Sequence, residues 1–145
     1  MDKKGREFFA ANLDRHVEAE GEILDEYRTL AGGLEDGPIS FLIDLILTEE
    51  EQHHFLLRTM ANRIRLPFEK GERDELSWVV DRDELRRHTQ KLREHEQETI
   101  HACRSLKSQI PVEEGEFFDA LLDALILDSE KHRRLLLAVE KLIPK

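Results

Sequence analysis

In LTEEEQHHFLL, Glu50 and His53 stand three residues apart, and in LILDSEKHRRLL, Asp128 and His132 stand four apart. On a helix, either spacing puts a carboxylate and an imidazole on one side, one turn from each other. Carboxylate and imidazole together make a pair that can hold a cation. The two segments are copies: Leu42–Leu57 and Leu121–Leu136 are identical at six of sixteen positions at an offset of 79, and the six include His53 with His132. A second match, EAEGEILDEYRTL with EHEQETIHACRSL at an offset of 76, sets Glu20 against Glu96 and Tyr27 against Cys103.

Combining the two matches places Glu20 opposite Glu96, Glu49 opposite Asp128, Glu50 opposite Ser129 and His53 opposite His132. All fall at mid-helix on or beside apolar stripes, where an unpaired carboxylate costs several kcal/mol unless a proton, a cationic side chain or a metal compensates it. Glu20, Glu50, Glu96 and Asp128 carry four negative charges, which two divalent cations would neutralise, and His53 with His132 adds neutral nitrogen ligands. An oxygen-rich set with two imidazoles suits iron or manganese better than zinc or copper(I), which favour thiolates. The plain alternative is a pair of structural histidines hydrogen-bonded to Glu49 and Asp128. His54, His88 and His101 are read as lying on solvated helix faces, and His16, one turn before Glu20, as half-buried and structural or as a substitute ligand.

These residues need helices to position them. Charged residues make up 37 % of the chain, and apolar residues recur at spacings of three and four, so an all-α protein is expected. The first helix runs from about Lys3 to Ala31, with Phe9, Leu13, His16, Glu20, Leu24, Tyr27 and Ala31 on one stripe, and ends at Gly32-Gly33. The second begins near Pro38 and carries Leu42, Leu45, Glu49, His53, Leu56, Met60 and Ile64 inward up to Leu66-Pro67. The third starts at Asp81, with Glu84 three residues on, and reaches Ile110; the fourth runs from about Glu113 to Ile143, with Asp128 and His132 on its apolar side. Short links join the first to the second and the third to the fourth, so each pair is expected to form an antiparallel hairpin. The longer link from Leu66 to Val80, in which Trp78 and Val79 are expected to pack on a helix, suits a crossover between parallel second and third helices.

At 145 residues, the chain is expected to form a single domain with a core of its own. The lone Cys103 excludes a disulfide framework or a cysteine-rich metal site and fits a reducing, cytoplasmic setting. A net charge of −10 disfavours nucleic acid and anionic membranes as partners, no apolar run reaches the length of a membrane span, and MDKKGREFF lacks a signal-peptide core.

The combination resembles the ferritin-like superfamily, especially its small rubrerythrin-like branch. EGEILDEYRTLA is similar to the first-helix signature of that family and LTEEEQHHFLL to its second. The resemblance implies a four-helix bundle of two hairpins with a long crossover, in which the first and third helices each give a Glu and the other two each give Glu-x-x-His to a di-iron or di-manganese centre. It assigns Glu20, Glu50, His53, Glu96, Asp128 and His132 as metal ligands, with iron as cofactor, oxygen or peroxide as substrate and an external electron donor, in rubrerythrin-like peroxidase or ferroxidase chemistry or in iron handling. A homodimer is also reasonable.

The chain departs from the pattern in two places. Both Glu50/His53 and Glu51/His54 satisfy the spacing in the second helix, and the repeat favours His53. Ser129 replaces the Glu expected three residues before His132, which leaves Asp128 as the substitute. The competing reading is a non-catalytic structural or protein-interaction bundle whose site has lapsed.

Overall fold

The computed structural model describes residues 2–66 and 81–145, so the expected crossover and the placement of Trp78 and Val79 lie outside the described residues. Within them the chain is all-helical, with four long helices: α1 (Lys3–Ala31), α2 (Pro38–Arg65), α3 (Arg82–Lys107) and α4 (Gly115–Leu142). A single 3₁₀ turn, Val112–Glu114, leads into α4. Two compact units, Met1–Glu69 and Lys70–Lys145, contain α1 with α2 and α3 with α4 respectively. No helix among the described residues is long and apolar enough to cross a membrane.

Helix starts follow local chemistry. The Asp2 side chain caps α1 by accepting from the Gly5 amide at 2.7 Å. Pro38 opens α2, where the Ser40 hydroxyl accepts from the Gly37 amide at 2.9 Å. Asp81 Oδ1 accepts from the amides of Asp83 at 2.9 Å and Glu84 at 3.0 Å, satisfying two of the free donors at the start of α3.

In the first hairpin the buried seam is Ala10 and Val17 on α1 against Ile43, Leu47 and Ala61 on α2. Ala10 and Ala61 are fully enclosed, and their small side chains let the two helices approach closely. In the second hairpin Ile100, Cys103 and Ile126 form a cluster, with Leu122 packed against it. Both hairpins have the same register: Arg28 reaches Glu51 at 3.4 Å, and the repeat-equivalent pair, Arg104 and Glu130, meets at 3.6 Å. Further ties differ between the two. Arg65 holds Glu7 through two 3.0 Å bonds and Asp14 at 2.8 Å, whereas Arg93 pairs with Glu140 at 3.2 Å and Lys107 with Asp119 and Asp123.

The expected inward stripes are only partly right. Phe9, Tyr27, Leu56 and Met60 were expected inward, yet they stay 39 to 55 % exposed, while the seam residues Val17, Ile43 and Leu47 are at most 8 % exposed. Within one hairpin, two antiparallel helices cover only the narrow flank where they touch, and an apolar face wider than about 100° overflows it.

Ile100, 1 % exposed, is the largest fully buried side chain described. Ile100→Ala is expected to destabilise the protein by about 2 to 4 kcal/mol through lost transfer energy and the cavity it leaves, measured by urea unfolding followed by circular dichroism.

Candidate metal centre

The hairpin turn of the first unit brings the middle of α1 beside the middle of α2. Glu20 on α1 thereby meets Glu50 and His53 on α2, and one ligand-type atom from each lies within 4.8 Å of the other two. Three ligand atoms each about 2.1 Å from one first-row divalent ion sit about 3.0 to 3.6 Å from one another. Side-chain rotation must therefore draw the most widely separated of the three together by up to an ångström or more for them to share one ion. Glu20 and Glu50 are each about one-quarter exposed, and His53 is more than half exposed, so the cluster opens to solvent on one side.

The two carboxyls interact directly. A hydrogen bond between them lowers the pKa of Glu20 below the usual carboxylate range and raises that of Glu50 above it, and partial burial pushes Glu50 further up. The two titrate as a pair in which Glu20 gives up its proton before Glu50 does. His53 Nδ1 lies 3.2 Å from Glu50 Oε2, which orients both side chains. His16 Nε2 lies 3.0 Å from Glu20 Oε2. The neighbouring imidazole attractions reinforce the lowering at Glu20.

His54 corrects the reading that placed it on a solvated face. Its side chain is 15 % exposed, and its Nε2, 3.9 Å from Glu20 Oε1, is enclosed without a hydrogen-bond partner among the described residues. The ring lies beside Gly21, where a Cβ would make only an ordinary van der Waals contact with Cε1 at 3.9 Å. The repeat pairs His53 with His132 but sets His54 against Arg133, so repetition carries no signal for His54. Glu51, the other half of the alternative pair, is turned away and bound by Arg28 at 3.4 Å.

The second hairpin has a smaller version of this arrangement. His132 Nδ1 approaches Glu96 Oε1 at 3.3 Å, and Glu96 is 15 % exposed. Asp128 instead accepts from Lys131 at 3.0 Å, and Ser129 is buried at the position where the first hairpin has Glu50. Three metal-ligating groups converge, among the described residues, only at Glu20, Glu50 and His53. His88 and His95 lie on exposed faces beside Glu84 and Glu98 at 3.7 and 3.8 Å, and the exposed His101 lies 3.2 Å from Gln97. Cys103 packs in the core of the second hairpin.

Compared with protein-family models, with curated proteins and with solved structures, the chain matches none.

The opposite shifts of the two carboxyls make stability depend on pH. Glu50, with its folded-state pKa raised, favours folding at low pH and loses that contribution as pH rises through its raised value. Glu20, with its pKa lowered, favours folding above its unfolded value and loses that contribution as pH falls through its lowered one. Between these limits the pair helps the hairpin; above them two like charges repel. Glu50→Gln keeps a donor toward Glu20 and removes the second charge. It is expected to raise the melting temperature of metal-free protein by about 1 to 3 °C at pH 7.5 and leave it nearly unchanged at pH 4.5, as read from thermal circular dichroism scans at the two pH values.

Proposed function

We propose that this chain is a metal-binding protein of ferritin-like type in which Glu20, Glu50 and His53 hold a divalent iron or manganese ion for oxygen or peroxide redox chemistry. The observation that carries the reading is the meeting, within 4.8 Å, of two carboxylates from different helices with one imidazole. Two carboxylates neutralise one divalent ion, and the oxygen-rich donor set with nitrogen suits iron and manganese. An ion bound there would supply a redox-active centre with coordination positions open on the exposed side.

The residues of the chain have separate tasks in this scheme. Glu50 must release its proton when the ion binds, so binding strengthens as pH rises through the range where Glu50 titrates. Glu20, held ionised by its neighbours, is the ready anion. His53, hydrogen-bonded to Glu50, adds the nitrogen ligand. Electrons must come from a separate donor, because one cysteine cannot build a thiolate cluster.

A second reading, a non-catalytic interaction bundle, is favoured by the exposed apolar side chains Phe8, Ile23, Leu30 and Phe55, each at least 66 % exposed. Anaerobic titration with ferrous iron separates the two. Metal should bind at micromolar concentration, and Glu20→Ala or His53→Ala should weaken it by about 10- to 100-fold. Absence of binding at micromolar iron would sink the metal reading and leave the interaction bundle. Peroxide consumption by the iron-loaded protein with a supplied reductant tests the redox role, and binding without turnover would indicate iron handling instead.

A further inference from the structure

We infer that the second hairpin is a charge-balanced copy of the first that keeps the geometry of the site while excluding metal, so that the chain binds one ion rather than two. This rests on the metal reading of the first hairpin and extends it to the other half of the repeat. The offset that aligns His53 with His132 also aligns Glu50 with Ser129 and His54 with Arg133. The four positions Glu20, Glu50, His53 and His54 therefore correspond to Glu96, Ser129, His132 and Arg133. With neutral imidazoles and both carboxyls ionised, as metal binding requires, the first set carries two negative charges and the second carries none. That difference equals the charge of one divalent cation.

The structure of each hairpin fits its side of this exchange. Both have the same register, as the matching pairs Arg28–Glu51 and Arg104–Glu130 attest, so equivalent positions share equivalent surroundings. In the first, His54 lies 3.9 Å from Glu20, beside Gly21. In the second, Gln97 stands where Gly21 does, with its side chain 3.2 Å from His101. Arg133 is half-buried, and its Nε is enclosed without a hydrogen-bond partner among the described residues. A guanidinium stays charged at every pH a protein survives, whereas an imidazole can be neutral beside a metal. A fixed cation at this level repels a divalent ion, and the loss of the Glu50 carboxylate removes the attraction that would overcome it. Glu96 retains His132 at 3.3 Å as a hydrogen-bond partner.

The test counts manganese(II) bound by the intact protein in equilibrium dialysis, with circular dichroism to check helicity. Wild type should bind one ion. Ser129→Glu with Arg133→His should bind two, and Ser129→Glu alone should still bind one, because Arg133 pairs with the new carboxylate. His54→Arg, which leaves Glu20, Glu50 and His53 in place, should weaken the single ion by about 100-fold. Two ions on wild type overturn this inference and leave the metal reading of the first hairpin standing. No ion on wild type overturns both. If the buried Ser129 site rejects glutamate and the double variant loses helicity, His54→Arg decides: unchanged affinity overturns the inference.

Discussion

The register between two antiparallel helices is the constraint on which the rest depends. In the first hairpin it is set where Ala10 and Val17 meet Ile43, Leu47 and Ala61, and in the second around Ile100, Cys103 and Ile126. A slip of one residue along either helix would turn each side chain by about 100°, which would carry Glu20 away from Glu50 and His53. Small residues allow the close approach, and branched ones fill what remains. The arginine pairs at the margins, largely exposed, add orientation more than energy.

Because that seam is narrow, the polar groups beside it are only partly withdrawn from water. This places Glu20 and Glu50 in an intermediate setting, withdrawn enough from water for each carboxyl to shift the titration of the other, yet open to solvent on one side. A fully buried pair would be locked in its protonated form, and a fully exposed one would not interact. His16, His53 and His54 lie beside the pair, and the last of these has a ring nitrogen with no hydrogen-bond partner among the described residues. The second hairpin has one carboxylate, Glu96, beside one imidazole, His132, with the buried Ser129 on the same helix.

Much of this was legible from spacing. The ends of α1 and the start of α2 fall where Gly32-Gly33 and Pro38 put them, and the start of α3 at Asp81 follows from the capping chemistry of that side chain. The duplication foretold two hairpins of one register and the placement of Glu20 beside Glu50 and His53, and of Glu96 beside His132. It did not foretell which flank of each helix is buried. Apolar residues cover too wide an arc in both hairpins, so periodicity alone leaves the choice among neighbouring stripes open, as Phe9 and Met60 illustrate.

The amino-acid sequence by itself determined the helices, their pairing and the level along each at which acids and histidines gather, because these follow from local propensity and from repetition. Only the tertiary structure decided that His54 turns toward Glu20, that Asp128 goes to Lys131 and that Glu20 and Glu50 are drawn into one electrostatic pair. Those outcomes depend on the rotation of each helix about its own axis. That rotation is settled by the packing of one seam against its neighbour, and no single residue's preference specifies it.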